Sequence, residues 1–190
     1  MPETAPVSSA RRDELLERAY HYVLEHGLAG MSLRPLSAAV GSSPRVLLFL
    51  FGSKDGLVRA LLARARTDEL ELLDAVRGGE QAKLAEVGEE VWSWLSAERH
   101  RGLLTLWSES YARSLVEPDG PWAGFARDTV EDWLRLLAAA QSPRVRRSAS
   151  GEAERTLVLA VLRGALLDLL ATGDRERTTR AVRRALGQLR

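Results

Sequence analysis

Residues 32–57 read SLRPLSAAVGSSPRVLLFLFGSKDGL, and helix start and stop signals alternate along them. Ser32 stands where an N-cap belongs, with Pro35 in the first turn, where a missing N–H does no harm. That helix ends near Val40, and Gly41 breaks it. Ser43-Pro44 repeats the signal, a cap followed by proline at the first helical position. The second helix runs from 44 to about 50 and stops at Gly52-Ser53; Ser53 then caps a long helix from 54 to about 76. Two short helices joined by a glycine turn form a helix-turn-helix. Such a unit holds the N-terminal side chains of its second helix where they reach base edges in a major groove.

Outward from this stretch the hydrophobic period stays helical, with no alternating strand run and no hairpin signature. A helix over 9–26 places Leu15, Leu16, Ala19, Tyr22, Val23 and His26 on one face, and Gly27 ends it. Gly78-Gly79 separates the long helix from one at about 81–98, and a kink near His100 precedes another at about 103–115. The breaker cluster EPDGP at 117–121 leads into a helix over 122–140. Residues 141–151, QSPRVRRSASG, read as a polar, basic, mobile loop. Helices at 152–171 and about 175–189, parted by Gly173, complete the chain. The expectation is an all-α protein of about nine helices. Residues 1–52 form a three-helix helix-turn-helix head, and residues 53–190 form a second helical domain, for which the resemblance given below implies ligand binding and dimerisation.

The run from 46 to 51, VLLFLF, has six consecutive apolar residues, too many for one face of a helix with 3.6 residues per turn. Some of Val46, Leu48 and Phe49 are therefore expected outside. There they touch thymine methyl groups or, alternatively, pack against neighbouring helices. Arg45, at the second position of this helix, is the leading base reader, since arginine pairs bidentately with guanine; a phosphate contact or a solvated arginine is the alternative. Ser43 and Pro44 set the helix N-terminus, itself a place for a phosphate. Lys54 puts a cation against the helix macrodipole, an arrangement that makes sense where a phosphate arrives; an ordinary surface lysine is the alternative. Arg34 points to the nucleic-acid backbone from the first short helix. Arg11 and Arg12 reach it from the N-terminal arm or, alternatively, form a solvated face.

Leu36, Gly41, Ser43, Leu47, Phe51, Lys54 and Leu57, with the run G-S-K-D-G-L at 52–57, resemble the N-terminal motif of the TetR family of one-component bacterial repressors. The motif covers about a quarter of the chain, and the helical remainder fits that family's regulatory domain in length. Two positions depart from it. Leu48 stands where the family usually has Tyr, and Leu50 where it usually has His. The resemblance assigns both positions to phosphate contacts, so two polar anchors are missing. It implies a DNA-binding transcriptional regulator, an effector-released repressor bound as a homodimer to a near-palindromic double-stranded operator. It also implies a small-molecule effector in a pocket among the central helices. The aromatic set Trp92, Trp107, Tyr111, Trp122, Phe125 and Trp133, with His100 and Glu109, marks where that pocket lies. Glu109 beside aromatics favours a cationic lipophilic effector. Plain core packing, and a solvated Glu109, are the alternatives. The helix at 152–171 is apolar on nearly every side, so one face is left for a second copy; a fully buried central helix in a monomer is the alternative. Leu159, Leu162, Leu166 and Leu170, with Val182, Leu186 and Leu189 of the last helix, are the expected dimer stripe.

Composition bounds the remaining classes. With 190 residues, 45% hydrophobic and 28% charged, the chain has an ordinary globular mix and can bury a core unaided. The absence of cysteine excludes disulfides, thiolate metal sites and a cysteine nucleophile. No P-loop, G-x-G-x-x-G, G-x-S-x-G or H-E-x-x-H motif occurs, and His21, His26 and His100 lack ligand spacing, so no enzyme, metal or cofactor is expected. The net charge of +1 does not announce a nucleic acid. Of 27 basic residues only Lys54 and Lys83 are lysines, which reads as codon usage. No segment is apolar enough to span a membrane and no signal peptide is evident, so a cytoplasmic protein is expected. Two other classes stay open: a helical ligand-binding or protein-interaction module with a degenerate head, and a cofactor-free helical enzyme.

Overall fold

A computed structural model describes residues 5–28, 31–75 and 83–189. Their helices are α1 (Ala5–His26), α2 (Leu33–Ala39), α3 (Pro44–Phe51), α4 (Lys54–Ala75), α5 (Leu84–Leu95), α6 (Arg101–Val116), α7 (Phe125–Ala139), α8 (Pro143–Arg146), α9 (Ala149–Thr172) and α10 (Arg175–Leu186); a 3-10 turn spans Glu98–His100. No strand occurs among the described residues. The fold is all-α, as expected. Residues 1–4, the Gly78-Gly79 break and the start of the helix expected from 81 lie outside the described residues.

The chain divides into two compact units: residues 1–68 with 105–126, and residues 69–104 with 127–190. The unit that carries the head thus extends past residue 52.

In the first unit, α1, α2 and α3 pack on one another. Leu15, Ala19 and Val23 of α1 are fully buried, as are Leu36 of α2 and Leu47 of α3. Tyr20 joins this core, whereas His26 is exposed and stacks on Tyr22 with ring centroids 4.1 Å apart. The buried stripe is therefore rotated slightly from the expected one. The rotation follows from what Tyr20 meets on α4. Its hydroxyl donates to Asp68 Oδ2 at 2.7 Å, and the Arg64 guanidinium lies 4.9 Å from its ring centroid. Arg64 also binds Asp68, and its Nε donates to Glu17 Oε1 at 2.6 Å. Burial and the neighbouring Asp68 push the Tyr20 phenol well above its ordinary range.

Gly41, at φ +67°, makes the turn between α2 and α3 in a left-handed conformation that favours glycine. Gly56 is required for a different reason. A Cβ there would lie 2.0 Å from the Phe51 carbonyl oxygen, so the first turn of α4 sits directly against the C-terminal end of α3. Ser53 fixes the same corner, its Oγ accepting from the Gly56 N–H at 2.9 Å. Ser32 takes the N-cap position of α2, but its hydroxyl makes no capping bond.

In the second unit α5, α9 and α10 pack together around Val91, Val158, Leu162, Val182 and Leu186. At the α9–α10 corner, Asp174 caps α10 and Arg177 binds Asp168 through two nitrogens at 2.6 and 2.8 Å. The stretch 141–151 is more ordered than the loop expected from its composition. Ser142-Pro143 starts α8, Ser148 caps α9, and buried Gln141 donates to the Gly151 carbonyl at 2.8 Å. The same serine–proline start that opens α3 accounts for this additional helix.

Candidate functional site

Helix α3 is short and capped, and it is apolar on the outside as well as the inside. Ser43 Oγ accepts from the Val46 N–H at 3.3 Å, and Pro44 occupies the first turn. Leu47 and Phe51 face the core and Leu50 is half-buried. The other side presents Arg45, Val46, Leu48 and Phe49. Val46 and Leu48 are each 39% exposed and Phe49 is 82% exposed. Of the two expectations for these residues, exposure is the one realised. It is nearly complete for Phe49, whereas Val46 and Leu48 stay partly covered.

The arginines of the first unit fall into two groups. Arg11 and Arg18 both bind Glu14 at 2.6 Å, and Arg18 also reaches the Val40 carbonyl at 3.4 Å. Arg12 lies 3.6 Å from Asp13, with its guanidinium 5.0 Å from the Phe51 ring centroid. These three are engaged with acids beside them on α1 at the surface, which weakens the expectation that Arg11 and Arg12 serve as a free arm. Arg34 on α2, Arg45 on α3, and Lys54 and Arg59 on α4 are exposed, with no side-chain hydrogen bond or ion pair to other described residues. Arg59 escaped the sequence reading, because an arginine on a long helix carries no signal of its own.

The eight residues expected around an effector do not gather in one place within either unit. Trp107, Glu109, Tyr111, Trp122 and Phe125 belong to the first unit; Trp92, His100 and Trp133 belong to the second. In the first, the Trp107 and Tyr111 rings lie 5.2 Å apart. Glu109 Oε2 accepts the Leu28 N–H at 2.9 Å, just past the end of α1, while Glu109 Oε1 is buried without a hydrogen bond. Glu109 is thus partly inside rather than simply solvated. Trp122 and Phe125 are buried, and the Trp122 indole donates to Glu117 Oε2 at 3.2 Å.

In the second unit His100 stacks on Trp94 at 3.8 Å and bonds the Trp94 carbonyl oxygen at 2.9 Å, so its ring is occupied locally. The Trp133 indole donates to Glu69 Oε1, a buried carboxylate that the helical period did not single out. Trp92 is buried and its indole donates to Thr179 Oγ1 at 3.0 Å. It lines a groove of about 570 Å³ between α5 and α10, together with Ser93, Ser96, Arg175, Thr179 and Arg183. Its lining also carries Glu89, Glu176 and Arg180, so it is a charged groove rather than the aromatic pocket expected.

The expected dimer stripe needs correction. Leu159, Leu162, Leu166, Val182 and Leu186 are buried within their own unit, and Leu170 and Leu189 are half-buried. Packing with α5 and α10 claims that side of α9. The outward side of α9 instead carries exposed Leu157, Ala160, Gly164 and Leu167 at helical spacing, and a Cβ on Gly164 would meet open space.

Among the described residues no group of three His, Asp or Glu is placed to hold a metal ion, and no helix is long and apolar enough to cross a membrane.

No family model matches the sequence, and no curated protein is significantly similar to it. Solved structures do share the fold. A transcriptional regulator from Rhodococcus sp. Rha1 matches with a TM-score of 0.74 at 22% identity, over 93% of this chain and 94% of that one. A TetR transcription regulator from Haloarcula marismortui matches with a TM-score of 0.73 at 16% identity, over 93% and 95%. The multidrug binding protein EbrR, in complex with imidazole, matches with a TM-score of 0.66 at 25% identity, over 93% and 89%. The agreement spans nearly the whole length on both sides, so the chain has the fold of the TetR-family transcriptional regulators.

Proposed function

We propose that the chain is a DNA-binding transcriptional regulator, an effector-released repressor that binds a near-palindromic operator as a homodimer. The observation that carries this reading is α3: a capped helix with open Phe49 and partly exposed Val46 and Leu48 on its outer side, while Arg34 of α2, Arg45 of α3 and Lys54 of α4 are exposed and make no side-chain bond among the described residues. A surface that is apolar at its centre and cationic at its margins suits a major groove between two phosphate strands. Ser43 and Pro44 set the helix start, Arg45 reads a base, and Lys54 and Arg34 hold phosphates. The fold shared with transcriptional regulators supports the same reading over an enzyme.

Two finer features follow. The outward stripe Leu157, Ala160, Gly164 and Leu167 of α9 is the face for a second copy, with Gly164 permitting close helix approach. A two-fold dimer then reads two half-sites. The effector is a lipophilic cation; α6 offers it the paired rings of Trp107 and Tyr111 on one side and the buried, unbonded Oε1 of Glu109 on the other. EbrR, which shares the fold, has been crystallised with proflavin and with ethidium. Such a ligand releases the operator only by preferring a conformation that binds DNA less well.

The test is fluorescence anisotropy on duplexes tiling the DNA upstream of the protein's own gene, at low and physiological salt, with Arg45→Ala beside the wild type. Selective, salt-sensitive binding that the variant loses supports the regulator. If both the tiles and selection from a random pool fail, Leu48 and Leu50 mark a head without DNA recognition, and the regulator reading is wrong.

A further inference from the structure

From the outer face of α3 we infer what kind of operator it reads: each half-site is recognised chiefly through thymine methyl groups, with Arg45 supplying a single guanine contact. This rests on the regulator reading above. Arg45 and Phe49 are four residues apart and share one face of the helix, with Val46 and Leu48 beside them. Within α3, Arg45 is the only exposed side chain on that face with a hydrogen-bonding group; no Asn, Gln, Asp or Glu occurs in PRVLLFLF. Ser43, just before it, already spends its hydroxyl oxygen on the Val46 N–H. Adenine and cytosine therefore meet no side chain of α3 that is matched to their amino groups. What a major groove offers to Val46, Leu48 and Phe49 is the C5-methyl of thymine, the one apolar group on its base edges.

The occupant of this face is DNA rather than an apolar protein surface because of the charge around it. Among the described residues Arg34, Arg45 and Lys54 are exposed and make no side-chain hydrogen bond or ion pair, against one exposed acid, Asp55, beside Lys54 at the start of α4, while Arg11, Arg12 and Arg18 are engaged with acids. α3 contributes no acidic side chain. An apolar strip on a helix that carries Arg45 and no acid, with an excess of unpaired cations on the helices before and after it, complements a groove walled by phosphates. Four residues of helix advance about 6 Å, so the Phe49 contact falls roughly two base pairs from the Arg45 contact. Leu48, which replaces a polar residue of the family pattern on the outer side, fits the same account. The head has less phosphate grip and more methyl contact.

The experiment uses the full-length protein and the operator obtained by selection from a random duplex pool. Each thymine of the half-site is then replaced by deoxyuridine, which removes the methyl group and keeps every hydrogen-bonding edge. At the thymine under Phe49 the replacement should weaken wild-type binding about fourfold per half-site and ~15-fold when both half-sites carry it, taking one buried methyl each. Phe49→Ala should bind the thymine and uracil operators equally. Its melting temperature should match the wild type, because Phe49 is exposed and packs on nothing. Selective wild-type binding that is indifferent to uracil at every half-site thymine would overturn the methyl reading and leave the regulator reading intact. Failure to select any duplex would overturn both and give the apolar face to a protein partner. Equal uracil penalties in wild type and Phe49→Ala would also overturn it, by moving the methyl contact away from Phe49.

Discussion

Lys54→Ala separates a DNA-facing cation from a surface lysine. Lys54 is exposed at the first turn of α4 and its side chain makes no hydrogen bond or ion pair with the described residues. Removing it should leave the fold intact, and stability should rise if anything, by roughly 0.3–1 kcal/mol, because a cation at a helix N-terminus opposes the macrodipole. Its effect belongs to the salt dependence of binding. Each neutralised phosphate contributes about 0.9 to the slope of log affinity against log salt. A dimer carries two copies, so the slope of the variant should be shallower by about 1.8. Between 50 and 200 mM salt, the affinity ratio of wild type to variant should then shrink by about a factor of twelve. The assay is an anisotropy titration on the selected operator at four or five salt concentrations. Arg11→Ala serves as control: this arginine is bound to Glu14 at 2.6 Å, so its removal should leave the slope unchanged. A Lys54→Ala slope parallel to that of the wild type would refute the assignment, and so would an Arg11→Ala slope that flattens equally.

Three further outcomes follow from the packing. Gly56→Ala pushes a methyl to 2.0 Å from the Phe51 carbonyl oxygen, so the α3–α4 corner must shift. Thermal unfolding should show a loss of about 1–3 kcal/mol, and an unchanged melting temperature would mean the corner is looser than described. Leu167→Arg places a charge on the exposed stripe of α9, and light scattering should report a monomer with weakened operator binding; a persisting dimer would place the interface elsewhere. The Asp168 carboxyl is held below its ordinary range by its bonds to Arg177. The pair therefore supports the α9–α10 corner above the ordinary carboxyl pKa, and that support fades as pH falls through the lowered value. Asp168→Asn should accordingly lower the melting temperature at neutral pH, with the difference closing toward pH 2; a gap constant across that range would contradict the linkage.

Local grammar made the head legible. Ser43-Pro44 and Gly41 mark the limits of α2 and α3 because caps and left-handed turns depend on neighbours along the chain. The exposure of Val46, Leu48 and Phe49 followed from counting, since six apolar residues exceed one helical face. The same grammar was overlooked at Ser142-Pro143, where basic, polar composition suggested a loop although the start signal was present. The dimer stripe could not be read correctly. On a helix apolar all round, the period does not say which side α5 and α10 will take. The aromatic set had a similar difficulty. Trp92, Trp107 and Trp133 lie on three different helices, and separation along a sequence does not report which unit a side chain joins. Tyr20 was missed because its burial depends on Asp68 and Arg64, more than forty residues away.

The contact between Gly56 and the Phe51 carbonyl turns α3 and the start of α4 into one lever without slack. With only a hydrogen atom between them, the α4 terminus cannot slide or tilt while α3 stays still. The lever arm is the length of α3, eight residues or about 12 Å. A tilt of about ten degrees at the corner sweeps its far end by roughly 2 Å, more than half the rise of one base pair. A glycine that touches no nucleic acid thus sets how finely a small rotation of α4 alters the register of the reading head on its operator.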